Sequence, residues 1–413
     1  MTTPSIRKYD KIQLILKTAE RCNLACPYCY YFYGGDESYK ERPALISQET
    51  VESLAEFCRA GCVDMEIPVI EIVFHGGEPM LQKVRRFDQM CATLRGTIEP
   101  DAELILGMQS NGTLISDGWL DVLSKHEVRL SISIDGTPDQ HDKNRFDHFG
   151  RGSHERIVEG LQRARKYSKR NDLLEVGVIS VLNAEFDYKE VLDHLIGSLG
   201  FSHLSFLLPD CTRDSGIPDG YTAEDYGRVL CDIFDEWVKR PGTSVREIDN
   251  ILQRFQLAKY SDLAEQRREV RIHGDVSHSR NQIVIVQSNG DLSIDDALIP
   301  VTKWQNQKKD HNVRSTSLSE FLGLPIYDEL EIAYTDTPDN CVDCCWQPLC
   351  NGGDLENRYS SAADFNNSSV FCAGLKKFYE RIVTFLYESG YPEELIYDRL
   401  TRPFAEQENT FLL

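Results

Sequence analysis

The first half of the chain contains six apolar, strand-like runs, each separated from the next by a helix-sized segment. The runs are Ile12–Lys17, Val69–Phe74, Glu103–Met108, Val128–Ile134, Leu174–Val181 and Leu204–Leu208. Helical patterns fall between them at Gln48–Ala60, Val84–Thr97, Gly118–Lys125, His154–Lys169 and Lys189–Ser198. Strands joined through helices form a parallel sheet with right-handed crossovers. Periodicity alone allows either a six-stranded doubly wound sheet or a partial barrel. The polar motifs favour the barrel, because they follow one strand after another: Cys22–Cys29, then His75-Gly-Gly-Glu-Pro79, then Gln109-Ser-Asn-Gly-Thr113, then Asp135-Gly136. Successive strands that feed one site at their C-terminal ends are the logic of a barrel. A doubly wound sheet concentrates its site at one switch point.

The second half reads differently. Tyr221 to Glu269 is amphipathic and helical, with Tyr226, Leu230, Ile233, Phe234 and Trp237 at helical spacing. A strand-turn-strand pattern follows from Asn281, with Asn289-Gly290 as a strong hairpin signal. Leu375–Glu388 reads as a closing helix. The expected organisation is a barrel over 1–215, a helical bridge over 216–280 and a cysteine-bearing domain over 281–413.

Lys plus Arg count 45 and Asp plus Glu count 66, for a formal charge of −21. Such a surface repels phosphate backbones and argues against nucleic-acid binding. No run approaches the roughly 18 apolar residues of a membrane span, and the N-terminus lacks the apolar core of a signal peptide. A cytoplasmic protein without a membrane segment is expected. Thirteen cysteines are many for such a chain, and a disulfide framework does not suit it. Three cluster near the start, and five (Cys341, Cys344, Cys345, Cys350, Cys372) near the end. Cys58, Cys62, Cys91, Cys211 and Cys231 read as buried thiols that behave as small hydrophobes.

Cys22, Cys26 and Cys29 have the spacing C-x3-C-x2-C, with Tyr28 just before the last. Three thiolates on one loop can hold three irons of a cubane and leave the fourth open to a small ligand. A structural zinc site would close that position with a fourth ligand. Together with Gly76-Gly77-Glu78-Pro79 after the second strand, this loop resembles the radical S-adenosylmethionine enzymes. The resemblance implies a partial (β/α)6 TIM barrel, a 4Fe-4S cluster on Cys22, Cys26 and Cys29, and S-adenosylmethionine chelated at the open iron. It further implies that Tyr28, Gly76, Gly77, Glu78, Pro79, Asn111, Ser133 and Arg145 surround that cofactor. Either the Glu78 carboxylate or the carbonyls of the turn could accept from its ammonium group.

The C-terminal group, Cys341-x2-Cys344-x5-Cys350 and then Cys372, resembles the SPASM auxiliary-cluster domain. A full domain holds two extra clusters. Here Asp295 and Asp354 stand where the pattern of the nearer one has cysteines. The resemblance therefore implies one auxiliary 4Fe-4S cluster, held by Cys341, Cys344, Cys350 and Cys372, while Cys345 points away. Zinc is the alternative occupant.

Finer cues are Cys29–Tyr39, Leu207-Leu-Pro-Asp210 and Asp364–Cys372, which resemble the SPASM-type peptide maturases that form three-residue cyclophanes. The implied reaction joins an aromatic ring to the β-carbon of a residue two positions on, within a ribosomally made precursor peptide. An external donor of flavodoxin or ferredoxin type would supply electrons. Candidate bases for the proton released are Asp210, past the sixth strand, and Asp295 or Asp296, past the hairpin. Rival readings are another peptide or protein oxidation, such as thioether or formylglycine formation, and a non-catalytic iron–sulfur or zinc scaffold.

Overall fold

The structure is a computed structural model that describes residues 9–168, 175–218, 220–255, 283–299, 301 and 311–402. The later part of the expected helical bridge, Leu174 of the fifth run and Asn281-Gln282 of the hairpin lie outside these residues. Contacts divide the chain into two compact units: Met1–Ile134 with His141–Val176 and Ser279–Asp328, and Asp135–Gln140 with Gly177–His278 and Glu329–Leu413.

In the first unit, β1 (Ile12–Ala19), β2 (Val69–Gly76), β3 (Glu103–Ser110) and β4 (Arg129–Ser133) pair in parallel in chain order. Helices α1 (Gln48–Met65), α2 (Val84–Ile98), α3 (Asp117–Lys125) and α4 (His154–Ser168) alternate with them. Each expected strand and helix in this unit is present, with ends shifted by a few residues. The Ser47 hydroxyl accepts from the Thr50 N–H and starts α1. Val51, Leu54 and Cys58 of α1 are completely buried, and each large apolar side chain so placed contributes about 1.5–3 kcal/mol.

Alternation along the strands positions the site. Ile12, Leu14 and Leu16 of β1, and Ile70, Ile72 and Phe74 of β2, are fully buried on one face. The opposite face carries polar partners in register: Gln13 beside Glu71 and Lys17 beside His75. Gln13 Nε2 donates to Glu71 at 3.0 Å. An apolar face for helices and a polar face for chemistry is what a period of two allows.

The hairpin was expected in a separate C-terminal domain. Instead β8 (Ile283–Val286) pairs in parallel with β1, Leu14 opposite Val284 and Leu16 opposite Val286, and β9 (Leu292–Ser293) folds back on β8. The first unit's strand order is thus β4-β3-β2-β1-β8-β9. Gly290 adopts φ +91° at the turn, the left-handed region that glycine enters freely. Val284, Ile285 and Val286 are all buried, so this strand has two covered faces, which a two-stranded surface hairpin would lack.

The second unit contains β5 (Gly177–Val181), β6 (His203–Leu207) and β7 (Ser244–Val245), parallel and in order. With it fold α5 (Tyr188–Leu192, continued by a wider π turn to Ser198), α6 (Ala223–Val238), α7 (Arg246–Arg254) and α8 (Cys372–Glu388). A capping box of Thr222 and Asp225 opens α6. The helix Pro325–Thr335 was not expected. Among the described residues, no helix is long and apolar enough to cross a membrane.

Candidate active site

The loop that follows β1 carries Cys22, Cys26 and Cys29, all free thiols and half-buried. The Leu24 N–H points at Cys22 Sγ (3.4 Å), and Asn111 Nδ2 lies 3.7 Å from the same sulfur. Cys29 caps the helical turn Tyr30–Tyr33. Burial pushes Cys22 up to about 12, with the Glu78 charge adding to it. Burial also raises Cys29, while the N–H groups of Phe32 and Tyr31 pull it back. Such thiols become thiolates when a cation binds them. Three sulfurs on one loop, two of them with amide donors already directed at them, fit an iron–sulfur cluster.

The two glycines after β2 are required by a close approach. Gly76 adopts φ +124°, and a Cβ there would lie 2.2 Å from the Ala19 carbonyl oxygen. A Cβ on Gly77 would lie 2.1 Å from the Arg21 carbonyl oxygen. The Gly77 N–H donates to Ala19 O at 2.7 Å and the Glu78 N–H to Arg21 O at 2.9 Å. The glycine turn is thus stitched to the start of the cysteine loop. Gly77→Ala is expected to lose roughly 1–3 kcal/mol of stability and to hold less iron, as read by thermal melting and iron assay.

Glu78 is fully buried. Its carboxylate accepts from the Met80 N–H (2.9 Å), Ser110 Oγ (2.8 Å) and the Asn111 N–H (2.8 Å). Burial raises it to about 7 against those three donors. Both oxygens are engaged, so this carboxylate fastens the turn to the end of β3. Asn111 Nδ2 donates to Asn23 Oδ1 at 2.8 Å, which ties β3 to the cysteine loop. Ser133 accepts from Gln109 Nε2 at 2.8 Å.

Arg145 is buried, and its guanidinium lies 5.3 Å from the centre of the Tyr28 ring. Its neighbours fix it to the same loop: Ala25 N–H donates to Phe146 O at 2.8 Å, and His148 Nε2 lies 3.0 Å from Cys22 O. Cys22, Cys26, Cys29, Tyr28, Gly76–Pro79, Asn111, Ser133 and Arg145 all belong to the first unit.

A cluster of which the sequence offered only Asp296 sits on the polar face of the same unit. The Lys17 side chain is completely buried and forms an ion pair with Asp296, while its Nζ lies 3.2 Å from His75 Nδ1. Tyr30 OH donates to Asp296 Oδ2 at 2.7 Å. The Lys17 ammonium lies 4.7 Å from the centre of the Tyr31 ring. Burial would raise Asp296, but the Lys17 charge and the donated hydrogen bonds hold it down at about 2. Burial, then Lys17, depress His75 to about 3, so the imidazole is neutral at pH 7 and accepts from the ammonium. Lys17, Tyr31, Asp36, Asp295, Asp296 and Ile299 line one cavity.

The remaining candidate bases are placed otherwise. The Asp295 carboxylate accepts from the Ala297 N–H at 3.0 Å and caps the turn Asp296–Leu298. Asp210, in the second unit, is exposed past β6. The signal that could have found Lys17 was a charge at the C-terminal end of an apolar strand, where barrel sites form.

In the second unit, Cys341, Cys344, Cys350 and Cys372 line one cavity. Cys345 is exposed, as expected. Cys231 is half-buried rather than buried like Cys58, Cys62, Cys91 and Cys211. Zinc would need its four ligands within about 2.3 Å of one ion. Among the described residues, no three His, Cys, Asp or Glu side chains are gathered in that way. Four thiols around one cavity are the donor set that a thiolate-ligated cluster takes.

Residues 16–195 match the sequence model of the Radical SAM superfamily. The chain is 24% identical over 385 residues to a serine-type anaerobic sulfatase-maturating enzyme of Bacteroides thetaiotaomicron, covering 88% of this chain and 87% of the relative. It is 23% identical over 380 residues to a cysteine-type anaerobic sulfatase-maturating enzyme of Clostridium perfringens, covering 89% and 95%. Its fold matches that of native anSMEcpe with bound AdoMet, with a TM-score of 0.75 at 22% identity over 91% of this chain and 98% of that one. The same enzyme with AdoMet and the Cp18Cys peptide gives a TM-score of 0.74 at 20% identity, covering 92% and 98%. Residues 16–195, which carry the cysteine loop, the glycine turn and Lys17, thus match the Radical SAM superfamily model, in a chain whose fold is similar to that of an anaerobic sulfatase-maturating enzyme.

Proposed function

We propose that this chain is a radical S-adenosylmethionine enzyme that oxidises a side chain within a peptide or protein. The observation that carries this reading is the Lys17–Asp296 pair. It is a carboxylate held ionised on a buried ammonium, lining a cavity in the unit that bears the three-cysteine loop. Cys22, Cys26 and Cys29 would hold a 4Fe-4S cluster with one open iron, and Cys341, Cys344, Cys350 and Cys372 a closed one. When bound at the open iron and reduced, S-adenosylmethionine supplies a hydrogen-abstracting radical. The carbonyls of the Gly76–Pro79 turn would accept from its ammonium group. Asn111, Ser133, and Arg145 stacked on Tyr28, would orient the remainder.

A substrate that has lost one hydrogen atom must lose one proton and one electron more to become a closed-shell product. Asp296 is the base the geometry favours for the proton. It combines partial exposure, with 16% of its side chain accessible, and a fixed hydrogen-bond donor in Tyr30. The electron would pass to the auxiliary site. A flavodoxin- or ferredoxin-type partner would supply the initial reducing electron.

The finer proposal is a three-residue cyclophane in a precursor peptide. It is supported by the runs Cys29–Tyr39, Leu207–Asp210 and Asp364–Cys372 and by the aspartates at 295 and 354. A second reading, conversion of a serine or cysteine to formylglycine, is supported by the sulfatase-maturating relatives. Mass spectrometry of candidate peptides after anaerobic turnover separates them. The cyclophane predicts loss of two hydrogens confined to three residues and no reaction with a hydrazine probe. A trapped aldehyde would establish the second reading instead.

A further inference from the structure

The cavity bearing Cys341, Cys344, Cys350 and Cys372 is also lined by Tyr379 and Lys376. Tyr379 is buried in α8, its ring centre 6.1 Å from that of Trp346, and its hydroxyl interacts with the Cys350 sulfur. Lys376 sits one turn earlier on α8, exposed at the rim, and its charge reaches Cys341.

Behind the thiols lies Arg358, only 2% exposed. Its guanidinium donates to the carbonyls of Ala333 (2.9 Å), Asn351 (3.3 Å), Phe365 (2.8 Å) and Asn367 (3.1 Å). Those acceptors satisfy its hydrogen bonds but carry no charge. A buried cation needs a nearby anion; its charge acts first on Cys341 and Cys350, with the Asp336 carboxylate a lesser partner. A thiolate-ligated cluster is an anion of the right kind and position.

The potential of an iron–sulfur cluster rises with hydrogen bonds to its sulfurs and with positive charge around it. We propose that Tyr379, Lys376 and Arg358 form a cationic, hydrogen-bonding shell that raises the potential of the auxiliary cluster and so fits it to accept the one electron leaving the oxidised substrate. This rests on the reading that Cys341, Cys344, Cys350 and Cys372 hold a 4Fe-4S cluster. The electron balance is one from the substrate radical to the cluster, with the accompanying proton to Asp296.

The test uses the full chain with Cys22→Ala, Cys26→Ala and Cys29→Ala, reconstituted anaerobically so that only the auxiliary site is loaded. Potentiometric titration followed by electron paramagnetic resonance reads the midpoint. Tyr379→Phe and Lys376→Met are each expected to shift it to more negative potential, and Lys376→Arg to restore it. Because Lys376 is exposed, its variants test the proposal even where Tyr379→Phe loads poorly. A midpoint unchanged by Lys376→Met and Tyr379→Phe would overturn the proposal while leaving the cluster assignment intact. Absence of any 4Fe-4S signal from the triple alanine chain would overturn that assignment and the proposal with it.

Discussion

Asp296→Asn is expected to leave both clusters in place and to keep release of 5′-deoxyadenosine under dithionite, yet to lower cross-linked or oxidised product by roughly 10²–10⁴-fold. The amide keeps the shape of the carboxylate and the hydrogen bond from Tyr30, but it takes no proton. Radical generation and product formation therefore come apart, which liquid chromatography of nucleoside and peptide in the same reaction reads directly. The same change at Asp210, which is exposed past β6, is expected to have the smaller effect. The pH dependence follows from the ion pair. Asp296 sits at about 2, below the ordinary 3.8, so its stabilisation is fully present above the ordinary value. It is lost as pH falls through about 2. No acid limb from this group is expected in the product profile between pH 5 and 8.

Lys17→Met is the change expected to cost the most stability. It leaves the Asp296 carboxylate without its cation and the His75 Nδ1 without its donor. Removing one partner of a buried pair costs roughly 3–5 kcal/mol, here near the lower end because Asp296 is partly accessible. Calorimetry should show the melting temperature fall. The Asp296 pKa should also climb, bringing an acid limb into the product profile. Combining Lys17→Met with Asp296→Asn should recover most of the lost stability but none of the product, since the uncompensated charge is gone and so is the base.

The parallel β/α order was legible because Ile12–Lys17, Val69–Phe74 and their successors alternate cleanly with amphipathic segments. The glycine turn was legible because glycine pairs mark close backbone approach, and the contacts of Gly76 and Gly77 with Ala19 and Arg21 give the reason. The pairing of β8 with β1 was not. Local pattern identifies a hairpin, but nothing in Ile283–Val286 names its second neighbour more than 260 residues away. The Lys17–Asp296 pair was hidden for the same reason, since Asp296 reaches β1 only through that pairing. The contacts of Glu78 were not legible either. Its three donors come from its own turn and from Ser110 and Asn111, and a side chain's choice among distant donors leaves no mark on spacing.

The central claim is an open cluster that activates S-adenosylmethionine, joined to one closed cluster. It is tested most directly by anaerobic reconstitution of the full chain, followed by iron assay and measurement of 5′-deoxyadenosine with dithionite and S-adenosylmethionine. The account predicts about eight irons per chain and nucleoside formation that disappears in Cys26→Ala. Iron near about four or twelve, or a loaded wild-type chain that releases no 5′-deoxyadenosine, would contradict it.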